Sequence, residues 1–300
     1  MDRSKIQGHI SMLVANMLWG LMSPVAKLVL AGALVSPLLL TNFRILGAAV
    51  LFWVLSVFLP REHVPVIDLL RLAGAALLAI VFNQGSFIFG VGFTSPGEAS
   101  IISTTMPMWV MILAALILKE PITLKKAGGI FLAAAGALML ILGAGQGLKG
   151  GSNPVVGDIL VLTAQLSYAL YLTLYKNFIR RYSLVTLMKW MFLFAALAVL
   201  PFSIGTIIST PFGDFTTYEC IGVVYVVVGG TFISYLLSMN GQKRLRPTVV
   251  GIYNYVQPIV ATTVGISFGL DELSLLKIFA VVLIFLGVWL VTNSRSLSKG

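Results

Sequence analysis

With 58% hydrophobic and 10% charged residues in 300, and a mean hydropathy of +1.00, the chain is too apolar to present a wholly water-facing surface; soluble domains carry roughly 25% charged residues. The net charge of +10 does not point to nucleic acid, because the basic residues lie in short links between apolar runs and read as charge at a membrane surface. A single cysteine, Cys220, excludes an intrachain disulfide and a thiolate metal site, and His9 and His63 stand in no ligand-like spacing, so no metal or cofactor is expected.

Ten apolar spans follow one another, at approximately 9–30, 37–59, 68–91, 97–118, 124–143, 155–176, 184–208, 218–240, 247–269 and 275–293. Each is close to the ~20 residues that carry a helix across a bilayer. The first superficially resembles a signal peptide, with Asp2-Arg3-Ser4-Lys5 before the run and Ala31-Gly32-Ala33 after it. It is too long for one and contains Asn16, Trp19, Pro24 and Lys27, so it is read as a retained span. Asn16, Trp19 and Ser23 fall on one helical stripe. Lys27, at the far end, reads as a boundary residue.

Span 2 opens on Ser36-Pro37, a capping side chain before a proline at the first helical position. Arg44 lies about seven residues further, ~10 Å along the axis, within snorkelling reach of the interface. Span 3 offers Asn83, Gln84 and Ser86. Span 4 opens on Ser95-Pro96, and Glu98 completes the pattern of a capping box, which favours a helix-end role over a proton site. Ser103, Thr104, Thr105 and Met106 precede Pro107, which removes a helical hydrogen bond. The freed carbonyls are available to a cavity, or the hydroxyls simply satisfy the turn.

Thr123 caps span 5, Asn153-Pro154 opens span 6, and Ser183 and Ser274 cap spans 7 and 10. Gln165 and Tyr168 sit in span 6, a shallow Lys189 in span 7, and Thr231, Ser234 and Tyr235 in span 8. Span 9 brings Tyr253, Asn254, Tyr255 and Gln257 before Pro258. Polar groups facing lipid are costly, so the predicted cavity lining is Asn16, Trp19, Asn83, Gln84, Ser103, Gln165, Tyr168, Ser234, Tyr235, Tyr253, Asn254 and Gln257. Helix packing is the competing role for the small hydroxyls. Pro107 and Pro258 are read as hinges. Amides and hydroxyls beside rings suit a small neutral or zwitterionic ligand with an apolar side chain.

The chain also repeats itself. A shift of 151 positions lays Pro96 on Pro247, Pro107 on Pro258, Glu120 on Asp271, Thr123 on Ser274, Lys126 on Lys277 and Gly136 on Gly287. A shift of 149 lays Gly8 on Gly157, Ala15 on Ala164 and Lys27 on Lys176, with Trp19 on Tyr168. The predicted units are 1–147 and 148–300, five spans each, an odd number that inverts the second copy in the membrane. Of the 20 Lys and Arg, 15 fall on the side of the amino terminus, 3 on the other (Lys27, Lys149, Lys277), and Arg44 and Lys189 lie inside spans. Both termini are therefore expected in the cytoplasm of a plasma-membrane protein.

Trp19-Gly20 followed by Lys27, then Pro37 and Arg44, with Pro107, Glu120 and a glycine-bearing fifth span ending near Gly136, resembles the repeat of the EamA family of the drug/metabolite transporter superfamily. The resemblance covers roughly 10–143 and 155–293. It implies a helical inverted-repeat carrier with a central cavity, commonly exporting amino acids or related metabolites. It also implies a substrate-carboxylate or gating role for Arg44, with Glu98 as a second gating or charge candidate. The second copy departs from the pattern: Tyr168 replaces the tryptophan, and only Lys189 lies near the place of Arg44.

All ten acids lie at termini, in links or at span ends. A proton-coupled carrier of cationic drugs is expected to bury one, which favours facilitated transport or exchange of neutral or zwitterionic metabolites, with coupling through Glu98 or a water path left open. The expected partners are a small-molecule substrate and the lipid bilayer, with no nucleic acid, and a monomer is compatible with the sequence. The alternatives are a multidrug or nucleotide-sugar carrier and, from another class, a passive channel or structural membrane protein. An enzyme is not expected, since no span pairs a nucleophile with a histidine base or holds paired acids.

Overall fold

The computed structural model describes residues 3–32, 34–119, 123–143, 153–176, 178–245, 253–254 and 256–292, and every regular element among them is helical. We label the helices by the apolar runs they cover: α1 (Arg3–Ala31), α2 (Pro37–Val57), α3 (Val66–Phe93), α4 (Pro96–Ile117), α5 (Leu124–Gly143), α6 (Pro154–Leu174), α7 (Leu184–Ser209), α8 (Thr217–Gln242), α9 (Val256–Ser267) and α10 (Leu275–Thr292). Seven of them, α1–α4 and α6–α8, are long and apolar enough to cross a membrane. Glu120, Pro247 and Tyr255 lie outside the described residues.

The distribution of polarity is that of a protein solvated by lipid. Phe131, Phe202 and Ile208 point outward, whereas Arg44, Gln84, Asp158 and Asp271 are buried. Helix entries form as their sequences predict: Ser36, Ser95, Asn153 and Ser183 each accept a hydrogen bond from the backbone N–H three residues on. One expectation is corrected. Ser95 and Glu98 make only half a capping box; the Glu98 carboxylate turns instead to Thr94 and Lys277. A complete box forms at Thr216 and Glu219.

Three helices depart from regularity inside the bundle. Helices α3 and α8 carry π-helical stretches at Leu77–Phe82 and Tyr225–Ile233, where the wider turn leaves carbonyls off the ordinary ladder. Hydroxyls collect several of them: Ser167 Oγ donates to Leu78 O at 2.7 Å, Thr231 to Val226 O at 2.8 Å and Ser234 to Gly229 O at 2.6 Å. Helix α4 breaks at Thr104–Thr105, and Pro107 begins its second part where a missing N–H costs nothing. The carbonyls of Ile101 and Ile102 are bonded by the two threonine side chains, so they are not open to a cavity. The turn-satisfying role wins at this point.

Glycines set how closely the helices cross. Helices α3 and α6 meet at Gly90 and Gly157, where a methyl on Gly157 would lie 2.6 Å from the Thr94 nitrogen and 2.8 Å from the Gly90 carbonyl oxygen. Helices α1 and α8 meet at Gly8 and Gly241, the positions that the two sequence offsets equate with Gly157 and Gly90. Helices α5 and α10 cross on Gly136 and Gly287, each against the other's backbone. On the opposite flank α2 packs on α7 through the stacked rings of Phe52 and Phe192, 5.7 Å apart.

Candidate substrate site and a buried ion-paired seam

Helix α2 carries Arg44 into the bundle rather than to an interface. The residue is 6% exposed, and its Nε donates to Thr231 Oγ1 of α8 at 2.8 Å. Thr231 is held in place because its hydroxyl in turn serves the π-helical carbonyl of Val226. Among the described residues no carboxylate pairs with Arg44. Tyr235, one helical turn beyond Thr231, lies beside the guanidinium and beside Gln84 of α3. Gln84 is fully buried against the Tyr235 hydroxyl, and among the described residues no hydrogen bond of ordinary geometry satisfies its amide oxygen or nitrogen. The Trp19 ring stands edge-on to Tyr235 at 6.0 Å, and Phe192 closes the other side at 6.4 Å. Tyr168 stacks obliquely on Tyr171 nearby.

This is an incomplete electrostatic arrangement. A cation at the centre of a membrane helix costs about 2.5–3.5 kcal/mol on insertion scales, and a buried amide with no partner costs about 1–3 kcal/mol. Both groups are poised to be satisfied by a carboxylate and its neighbours. Arg44, Gln84, Thr231, Tyr235, Trp19 and Tyr168 therefore make the candidate site; the predicted lining held four of them, Arg44 was expected only as a gating or charge residue, and Thr231 was left out.

Several other predicted lining residues are occupied in holding helices together. Gln257 Nε2 donates to Asn16 Oδ1 at 2.7 Å, joining α9 to α1, while Asn16 Nδ2 donates to Met12 O. Gln165 Nε2 donates to Ser103 Oγ at 3.2 Å, joining α6 to α4, and Asn83 Nδ2 donates to Ala164 O. Ser234 is spent on Gly229 of its own helix, and the Tyr253 hydroxyl lies 2.7 Å from His9 Nδ1, so neither comes to the Arg44 site. Asn254 supplies a turn carbonyl to Gln257 N, and Pro258 is buried near the start of α9. The Asn16→Ala variant should lose about 0.5–1.5 kcal/mol of stability, because the interhelical bond to the half-buried Gln257 amide is lost. Adding Gln257→Met should recover part of it, read as the melting temperature in detergent.

At the end of the bundle where α1 and α3 finish and α4 and α6 begin, charged groups converge that the sequence left scattered. Lys277 Nζ of α10 lies 3.1 Å from Glu98 Oε1 and 2.5 Å from Asp271 Oδ1. Thr94 Oγ1 lies 2.9 Å from Glu98 Oε2 and 2.6 Å from Asp158 Oδ1. Lys27, read as a boundary residue, donates to the carbonyls of Gly92 and Thr94 at 2.8 and 2.9 Å and so ties α1 to the α3–α4 link. Glu98, Asp158 and Asp271 are all buried. The acids do lie at span ends, as expected, but they face one another rather than water. Glycine makes the approach: Gly97 and Gly265 leave room for the Asp271 side chain, and Gly157 for Thr94. The available signal was the pair of Gly-acid dipeptides, Gly97-Glu98 and Gly157-Asp158, on the same predicted side as Lys27 and Lys277.

The opposite end has its own polar cluster, where Asp68 accepts from Tyr182 at 2.6 Å and pairs with Arg71 at 2.9 Å. A cavity of about 310 Å³ opens there beside Arg71, Tyr175, Phe178 and Arg181. Lys189 lies over the Trp53 ring at 5.0 Å, an aromatic seat for its ammonium.

A helical bundle apolar without and polar within, holding a buried cation with no carboxylate partner among the described residues, has the character of a multi-pass membrane protein. The EamA-like transporter family matches residues 6–142 and again 155–293, and the chain belongs to that family. It is similar to an uncharacterized transporter of Archaeoglobus fulgidus, 24% identical over 267 residues covering 87% of this chain and 90% of that one. It is similar also to protein PecM of Dickeya dadantii, 26% identical over 274 residues, with 88% and 85% covered. The uncharacterized transporter YcxC of Bacillus subtilis is 28% identical over 229 residues, with 74% and 72% covered. A solved crystal structure shares the fold at a TM-score of 0.59 and 18% identity, covering 96% of this chain and 95% of that one. The protein is a membrane transporter.

Proposed function

We propose that the protein is a secondary carrier of ten transmembrane helices that exports amino acids or closely related small metabolites by alternating access. The observation that carries the substrate class is Arg44: a buried guanidinium with no carboxylate partner among the described residues, near the buried Gln84 amide and the Tyr235 ring on which Trp19 stands edge-on. An α-carboxylate would meet Arg44 and Gln84, and an apolar side chain the rings. A nucleotide sugar would call for several cations at the site, and Arg44 is the cation placed there among the described residues.

The reading as two inverted five-helix units is supported by the packing. The offsets that align the halves exchange the α1–α8 contact with the α6–α3 contact, and both rest on paired glycines. They also place Asn16 on Gln165, and each of these crosses to the fourth helix of the other half. The two π-helical stretches fall in the third helix of each half. Such a pair of like units can exchange shapes and open the site to either side in turn. The Lys and Arg distribution supports cytoplasmic termini, which would put the ion-paired seam on the outer face.

Counterflow in proteoliposomes with a panel of labelled amino acids and no imposed pH gradient tests this reading. Saturable, trans-stimulated uptake that weakens at least tenfold in Trp19→Ala is the expected result. Flux that neither saturates nor responds to trans substrate would mean a passive pore.

A further inference from the structure

We propose that Asp158 and Glu98, joined through the Thr94 hydroxyl, form a proton-binding site whose proton resides on Asp158 and fastens the α3–α4 link to α6. The argument begins with one hydrogen. Thr94 Oγ1 lies within full hydrogen-bond distance of two carboxyl oxygens, at 2.6 Å from Asp158 Oδ1 and 2.9 Å from Glu98 Oε2. A hydroxyl has one hydrogen to give, so two well-aligned short bonds require it to accept in one of them, and a carboxyl group can donate only when protonated. One of the two acids therefore carries a proton.

The surroundings choose Asp158. Glu98 has Lys277 Nζ at 3.1 Å from its other oxygen, an ion pair that assigns it the acceptor role. Asp158 is fully buried, has no ammonium or guanidinium in ion-pair range among the described residues, and its Oδ2 has no partner at all. A carboxylate left so would bear nearly its whole desolvation cost, whereas the acid form loses much less. The charge count agrees. Among the described residues, Lys27 and Lys277 face Glu98 and Asp271 here, and a third negative charge has no described cation of its own. The groups facing Asp158 are Glu98 from α4 and Lys277 from α10, with Asp271 behind Lys277 and Lys27 across the α3–α4 link. Helix α3 brings it no titratable side chain beyond Asp68 and Arg71, which lie at the other end of that helix, and α5 offers only Lys125 and Lys126 in its first turn, also at the far end.

In the bound state the Asp158 hydroxyl donates to Thr94 Oγ1, and Thr94 donates to Glu98 Oε2. When the proton leaves, Thr94 can serve only one of two adjacent carboxylates, and their repulsion acts across the α3–α6 crossing at Gly157. The proton is thus the group that fastens the α3–α4 link to α6. Its coupling to transport rests on the carrier reading above; its presence does not.

Infrared spectra of the whole protein in lipid, taken across pH with and without aspartate labelled by ¹³C at its side-chain carboxyl carbon, test the site without any substrate. Ordinary aspartates titrate near about pH 4. The wild type should keep one protonated carboxyl band above about pH 6, the band should move with the aspartate label, and Asp158→Asn should remove it. Thr94→Val should shift its midpoint by at least about one pH unit. No such band in the wild type would overturn the proposal without recourse to any variant. A band that ignores the aspartate label, or one that survives in a folded Asp158→Asn protein, would overturn it equally. Failure here leaves amino-acid counterflow untouched, and failure of counterflow leaves the band.

Discussion

Arg44→Met should abolish saturable amino-acid counterflow while leaving the protein as heat-stable as the wild type, or more so. The two halves of that expectation have one cause. A buried cation that lacks an anion is an expense to the empty protein, and exchanging it for an apolar chain of similar length is commonly neutral or stabilising. The bound state is different, because removing one member of a desolvated charge pair costs about 2–5 kcal/mol. At 1.4 kcal/mol per tenfold, affinity should fall by at least about 30-fold. Arg44→Lys keeps the charge without the planar fork and should fall between. Counterflow kinetics and thermal denaturation in detergent measure the two effects separately. If Arg44→Met melts early and also stops transport, Arg44 is a strut between α2 and α8. Thr231→Val then decides, since it removes the 2.8 Å bond from Nε and spares the guanidinium.

The second large effect belongs to a glycine. In Gly157→Ala the new methyl would sit 2.6 Å from the Thr94 nitrogen, 2.7 Å from its Cβ and 2.8 Å from the Gly90 oxygen. Two of these are backbone atoms that cannot rotate away, so α3 and α6 must separate. Overpacking of this kind costs about 1–3 kcal/mol. Gly241→Ala, at the matching crossing of α1 and α8, meets Met12 Cγ at 2.4 Å and the Gly8 oxygen only at 3.2 Å. Methionine has the rotamer freedom to yield, and the loss should stay below about 1 kcal/mol. The melting temperature of Gly157→Ala should therefore fall well below that of Gly241→Ala. Equal losses would show that the two crossings are equally soft.

Much of the architecture was legible because lipid imposes a simple grammar. A helix must be about 20 apolar residues long and satisfy its own backbone, so hydropathy and capping residues alone located the elements. Ser36-Pro37 and Asn153-Pro154 open helices where predicted. The candidate site was harder to read. Mid-span polarity identified Gln84, Trp19, Tyr168 and Tyr235 at the Arg44 site, but by the same criterion it gathered Asn16 and Gln257, which bond each other, and Ser234, which serves its own π-helical turn. Polarity says that a side chain turns from lipid. It does not say whether the group it meets belongs to the protein or to a ligand.

The helical class, the repeated offsets and the side on which positive charge gathers were determined by the sequence by itself, because each depends on local pattern or on a count along the chain. The tertiary structure decided which charges meet. Lys277 and Glu98 are 179 positions apart, and Asp158 stands 64 beyond Thr94. Their pairing depends on glycines at helix crossings that bring the backbones close enough for short side chains to touch. An ion pair depends on a few ångströms of separation and on exclusion of water, and neither quantity is written in linear order.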